Sequence, residues 1–144
     1  CKVTAMDISE EALSVASENA SMLNAEVVFM HENVLQPSLV AGRWDVIVSN
    51  PPYVCLSEAE EMEGNVLDYE PHLALFVPDT DPLIFYRAIA SFALSHLASD
   101  GWLCLEINQA FPMKMTELLA SLGFRNITII PDQYGKKRIA CAQL

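Results

Sequence analysis

Four consecutive residues, Asn50-Pro51-Pro52-Tyr53, constrain this chain more than any other feature. They follow an apolar run, Trp44-Asp45-Val46-Ile47-Val48-Ser49, whose length and β-branched content predict a buried strand. Pro52 drives Pro51 into an extended conformation, and neither proline has an N–H to offer a ladder or a helix. The backbone carbonyls beyond the strand therefore stay open. What results is a rigid tip carrying one side-chain amide, one free carbonyl and one aromatic face. Such a tip suits a flat group bearing an NH2, whose two hydrogens go to two oxygens while a ring packs on its plane.

Strands and helices alternate around that tip. Lys2–Met6 reads as a strand ending at Asp7. Ser9 caps a helix running to about Leu23, with Ala12, Val15, Ala16, Ala20 and Leu23 on one face and Glu10 and Glu11 in the first turn. Ala25–Met30 and Asp45–Ser49 are the next strands, and Val54–Asp79 is a long loop with a helical turn near Ser57–Met62. Asp81-Pro82 opens a helix to about Ala98, as an N-cap followed by proline at the first helical position. Then come a strand over Gly101–Ile107, a helix over Pro112–Leu122 closed by Gly123, and strands over Phe124–Ile130 and Lys137–Gln143. The last two are joined by a turn at Tyr134-Gly135. This order predicts an α/β chain with a mostly parallel sheet and an antiparallel last strand.

At 144 residues the chain is long enough for one domain with a real core, and 52% hydrophobic against 19% charged residues is a folded composition. No stretch approaches the length of a membrane span. Cys1, Cys55, Cys104 and Cys141 form no Cys-x-x-Cys pair, which argues against zinc; Cys104 and Cys141 read as small buried apolar residues of a reducing cytoplasm. His31, His72 and His96 lack metal-ligand spacing, so no metal is expected. The net charge is −11, and no Lys or Arg occurs between Arg43 and Arg87 although Glu58, Glu60, Glu61, Asp68 and Asp79 do. The region of the tip is thus electronegative, the opposite of what displaces counterions from DNA or RNA. A basic protein segment fits it better.

Asn-Pro-Pro-Tyr at a strand end resembles the acceptor-binding motif of class I, S-adenosyl-L-methionine-dependent amino-methyltransferases. Downstream stand Asn65-Val66-Leu67-Asp68-Tyr69-Glu70-Pro71-His72-Leu73-Ala74-Leu75 and then Phe85-Tyr86-Arg87. With these the chain is similar, over essentially its whole length, to the protein-(glutamine-N5) methyltransferases of the HemK/PrmC family, which methylate the Gly-Gly-Gln glutamine of peptide-chain release factors. The resemblance implies a Rossmann-like methyltransferase sheet, S-adenosyl-L-methionine as cofactor, release factors as partners, and neither nucleic acid nor membrane. It also implies a first strand and a glycine-rich cofactor turn ahead of Cys1. The chain has five glycines and no Gly-x-Gly. The expectation is therefore a single catalytic domain that starts partway through the plan, without that strand, that turn or the family's N-terminal helical domain. The absent strand would lie between those ending at Asp7 and Asn50, leaving two edges open to self-association.

The resemblance assigns roles residue by residue. Asn50 and Pro51 hold the acceptor amide through the Asn50 side-chain oxygen and the Pro51 carbonyl, with Pro52 and Tyr53 shaping the rest of the grip; Asn50 also lies against the cofactor. Asp7, at a strand's carboxyl end, takes the ribose diol, although a helix-start cap is its bland alternative. Asn33 stands where the family often has Asp to meet the adenine amine, and an ordinary turn residue is the equal alternative. Glu70 and Pro71 shape the acceptor pocket or only its framework. Glu106, ending an apolar strand, needs a partner and reads as structural. An adenine-N6 methyltransferase acting on a flipped base, or a non-catalytic protein-binding piece, are the competing readings.

Overall fold

A capping serine and two β-branched strands build the start of the chain. The computed structural model describes residues 1–38, 40–61 and 71–144, which divide into two units, Cys1–Ala41 and Gly42–Leu144. In the first, β1 (Val3–Asp7) and β2 (Val27–His31) pair in parallel, Val3 opposite Val27 and Asp7 opposite His31. Helix α1 (Glu10–Met22) connects them. Ser9 caps it, its hydroxyl oxygen accepting the Ala12 N–H at 3.1 Å, and Glu10 and Glu11 sit at the positive end of the helix dipole. Asn24 turns the chain out of the helix at φ +52°, a conformation asparagine tolerates. The apolar face anticipated for α1 is present in sequence, yet no α1 residue is buried. A unit this short has too little volume for its surface to close a core of its own.

The second unit opens with β3 (Trp44–Ser49), β4 (Val54–Cys55) and a 3-10 helix over Leu56–Glu61. After them come α2 (His72–Leu75), β5 (Phe76–Val77), α3 (Ile84–His96) and β6 (Leu97–Glu106). It ends with α4 (Pro112–Ser121), β7 (Arg125–Pro131) and β8 (Lys137–Gln143). The main sheet has the order β3-β6-β8-β7; β3 and β6 are parallel, and β8 is antiparallel to both of its neighbours. Gly135, at φ +80°, makes the turn into β8. Among the described residues β1 pairs only with β2, and β3 only with β6, so each keeps one edge outside any ladder.

Three expectations need correction here. Val54–Asp79 contains the expected helical turn, as the 3-10 helix over Leu56–Glu61, but is not otherwise a plain loop: β4 and β5 pair in parallel, and Ser57 donates to the Asp79 carboxylate from its N–H (3.1 Å) and its hydroxyl (2.6 Å). Those Ser57 bonds hold the Asp79 carboxyl below the usual carboxylate range. Helix α3 begins at Ile84, not at Pro82, because the Asp81 side chain is spent on an ion pair with Arg87 while its carbonyl accepts the Ile84 N–H at 3.4 Å. It ends at His96, where β6 takes over at Leu97, whose carbonyl accepts from the Arg43 guanidinium at 2.9 Å.

The core lies on one face of the main sheet. Leu103, Leu105 and Ile107 from β6 and its end, and Ala140 and Ala142 from β8, are buried together with Tyr86, Ile89 and Ala93 of α3 and Met115 and Leu119 of α4. Period-two alternation sends Val46, Val48, Trp102, Ile130 and Ile139 to the opposite face, where they are exposed. The expectation of a buried strand fails on that face: Val48 is 74% exposed. Cys104 and Cys141 stand on this second face too, directly opposite each other in the antiparallel register with Cα atoms 4.2 Å apart, and they form a cross-strand disulfide. They are half-buried, not the two inert buried side chains anticipated from the apolar runs. Adjacent antiparallel positions point their side chains the same way, a juxtaposition that no sequence spacing reveals.

At Gly101 backbone carbonyls crowd the space a side chain would take. A Cβ there would meet the Ala98 carbonyl oxygen at 2.9 Å and the Asp45 carbonyl oxygen at 3.1 Å. Gly101→Ala is expected to lower the stability by about 1–3 kcal/mol, read as a lower urea midpoint; an unchanged midpoint would show that the strands relax around the methyl. Protein purified in air should titrate free thiols at Cys1 and Cys55 alone when denatured without reductant, and at Cys104 and Cys141 as well after reduction.

Candidate active site

The carboxyl end of β3 delivers Asn50 to the surface. Asn50 is exposed, Pro51 is buried, and Pro52 and Tyr53 are half-buried. No cis peptide bond occurs among the described residues, so the chain passes through both prolines in trans. The outer end of this short rod is held by the neighbouring strand. Tyr53 donates its hydroxyl to Glu106 Oε1 at 2.7 Å, and its carbonyl accepts from Asn108 Nδ2 at 3.1 Å. Asn108 Nδ2 also donates to Glu58 Oε2 at 2.9 Å, the oxygen that receives the Cys55 N–H at 2.8 Å. The Asn108 N–H donates to the Tyr86 hydroxyl oxygen at 3.2 Å, which ties the arrangement to the core face of α3.

Electrostatics follow from this seating. Burial, reinforced by the hydrogen bond and charge of Glu106, pushes the Tyr53 phenol up to about 12. At neutral pH Tyr53 is therefore a fixed donor and an aromatic wall, not a base. Burial likewise pushes the Tyr86 phenol up. Burial and then the Glu58 carboxylate push the Cys55 thiol up, which makes it a poor nucleophile. Glu106 finds the partner that its position demanded, and that partner is Tyr53, so this carboxylate belongs to the site as well as to the framework. A hollow of about 390 Å³ opens beside the tip on the second face of the sheet, walled by Val48, Asn50, Cys104, Glu106 and Ile139 among others.

The two candidate cofactor residues lie in the first unit, at the carboxyl ends of its strands. Asp7 is exposed; its Oδ1 accepts the Ser9 N–H at 2.8 Å, so one carboxylate oxygen serves the helix start. Asn33 Oδ1 accepts the Leu35 N–H at 2.9 Å and its carbonyl accepts the Gln36 N–H at 2.9 Å, the bonding of a turn asparagine. Glu70 lies outside the described residues, and Pro71 is exposed at the start of α2. Sequence reasoning missed Glu58 and Asn108. The available signal was positional: Asn108 follows the apolar run of β6, and the carboxyl ends of adjacent parallel strands meet at one edge of a sheet.

The Methyltransferase small domain family model matches residues 1–67. A release factor glutamine methyltransferase from Bacteroides thetaiotaomicron is 49% identical over 142 residues, which cover 98% of this chain and 51% of that protein. The crystal structure of a methyltransferase from Pyrococcus furiosus superposes with a TM-score of 0.70 at 22% identity, covering 99% of this chain and 62% of that one. The N-methyltransferase NodS from Bradyrhizobium japonicum, solved in complex with S-adenosyl-L-homocysteine, gives a TM-score of 0.58 at 16% identity, covering 99% of this chain and 65% of that one. The fold is thus that of the class I methyltransferases. The chain spans about half the length of the curated relatives it matches, and those relatives are release factor glutamine methyltransferases.

Proposed function

We propose that the protein carrying this chain methylates the side-chain nitrogen of the glutamine in the Gly-Gly-Gln motif of peptide-chain release factors, with S-adenosyl-L-methionine as methyl donor. The observation that carries this reading is the tip itself: an exposed Asn50 on a proline rod whose far end is pinned through both the ring and the carbonyl of Tyr53. A glutamine amide nitrogen is a weak nucleophile because its lone pair is conjugated with the carbonyl. The Asn50 side-chain oxygen and the Pro51 carbonyl accept its two hydrogens and fix its direction of attack. As the C–N bond forms and the methyl–sulfur bond breaks, its electron pair returning to sulfur, positive charge would grow on that nitrogen, and the two oxygens would stabilise it before one proton leaves to solvent. The rate gain is positioning plus preorganised electrostatics, with no nucleophilic side chain.

The cofactor would supply an electrophilic methyl on a sulfonium. Asp7 suits its ribose diol, being an exposed carboxylate at a parallel strand's carboxyl end with one oxygen outside the helix start. Asn33 fits less closely, since its side-chain oxygen already closes a turn and has one lone pair left for an adenine amine. The cation-free run from Trp44 to Tyr86 supports a basic protein segment as partner over DNA or RNA. A translation factor as substrate implies a cytoplasmic protein, and in a reducing compartment the Cys104–Cys141 pair stands open as two thiols. Among the described residues no helix is long and apolar enough to cross a membrane. The open edges of β1 and β3 are where copies of the chain would self-associate.

In a protein of the relatives' length, Asn50→Ala should cut turnover on a Gly-Gly-Gln peptide by about 100-fold or more while leaving the melting temperature near that of the parent. Near-normal turnover would remove Asn50 from the mechanism. Radiolabelled methyl should enter a release factor and neither DNA nor RNA. Label in nucleic acid and none in the release factor would assign the tip to an exocyclic base amine instead.

A further inference from the structure

Resting on the acceptor reading above, we propose that Asn108 is a positioning residue for the transfer, setting through Tyr53 and Glu58 where the Asn50–Tyr53 tip presents itself to the acceptor amide. Asn108 is 4% exposed, just past the end of β6, and both ends of its side-chain amide are bonded. Both Nδ2 hydrogens are donated, one to the Tyr53 carbonyl at 3.1 Å and one to Glu58 Oε2 at 2.9 Å; Oδ1 accepts the Ala110 N–H at 2.9 Å. The opposite amide orientation would set an oxygen against a carbonyl and a carboxylate, so the bonds themselves dictate which way the group faces. An apolar residue could fill this space, but it would leave the Tyr53 carbonyl, Glu58 and the Ala110 N–H each short of a partner.

The geometry of the rod turns this clamp into a reaction effect. The near end of the tip leaves the ladder at Ser49, which is in register with Leu105 of β6. Its far end is Tyr53, held by Glu106 and Asn108 at the end of that same strand. Between the two anchors run Asn50 and two prolines, whose φ angles are restricted. A shift at the far anchor therefore reorients the Asn50 amide and the Pro51 carbonyl instead of being absorbed in a flexible loop. Asn108 touches neither acceptor nor cofactor in this scheme.

Asn108→Asp keeps the shape and turns both donors into acceptors that face a carbonyl and a carboxylate; Asn108→Ser removes both amide donors without adding charge, leaving one shorter hydroxyl that cannot serve Tyr53 and Glu58 together, and carries the test alone if the aspartate variant does not fold. In the protein of the relatives' length, both are expected to lower kcat on a Gly-Gly-Gln peptide by about 10- to 100-fold, with the KM for S-adenosyl-L-methionine unchanged. A residue with only a packing role would not produce that split. A second readout needs no activity. Burial and Glu106 push the Tyr53 phenol up; if Asn108→Ser lets the tip swing its ring out of that seat, the phenol should fall back toward its ordinary value of about 10, measured by rapid-mixing tyrosinate absorbance against a Tyr53→Phe reference. The sign is that of an acid raised by folding: its contribution to stability is whole below the ordinary value and is lost as pH climbs through about 12. A titration that does not move in either variant overturns the proposal, and so does a shifted titration with kcat intact. If the parent itself fails to methylate the peptide, the substrate reading has failed, and the Tyr53 titration still decides whether Asn108 seats the tip.

Discussion

Two adjacent prolines deny the backbone after β3 the hydrogen bonds by which a strand end is normally held, so side chains of the next strand must hold it. This constraint organises the site. Glu106 and Asn108 lie at and just beyond the carboxyl end of β6, and both reach Tyr53. The parallel pairing of β3 with β6 brings these two ends to the same edge of the sheet. Were β6 antiparallel to β3, its carboxyl end would lie at the far side and the tip would have no partner there.

The anchorage is polar, partly buried and linked to the core. Tyr86 of α3 is 1% exposed and receives the Asn108 N–H, so the hydrophobic packing of α3 against β6 bears on the position of the tip. Buried polar groups of this kind are costly when left unmet, by about 1–3 kcal/mol each. No buried side-chain N or O lacks a partner among the described residues. The site is therefore stiff through its connections, with Asn50 exposed at its edge.

The sheet faces are unlike each other. One carries the core beneath α3 and α4, while the other presents Val46, Val48 and Trp102 together with the Cys104–Cys141 pair. Both sets come from the same alternating strands, since successive side chains point to opposite faces. Alternation tells which residues share a face. It does not tell which face receives a cover, and the apolar run that predicted a buried β3 is buried only in part.

The sequence by itself determined the order of the longer strands and helices outside Val54–Asp79, the antiparallel last strand, the capping by Ser9 and the interruption at Asn50-Pro51-Pro52-Tyr53. Each of these is a local matter of periodicity, capping chemistry or missing N–H groups. The same holds for the bounds of β8, Lys137–Gln143, which turn chemistry alone had marked. What tertiary structure decided are the meetings between distant residues: Tyr53 with Glu106, Asn108 with Glu58, Cys104 with Cys141, Ser57 with Asp79. Asp81 shows the limit sharply, for its local pattern is that of a helix cap, yet Arg87 takes its carboxylate and the helix starts later. Strand register and helix packing choose among the partners that a polar side chain could have, and those choices depend on three-dimensional proximity that no local window contains.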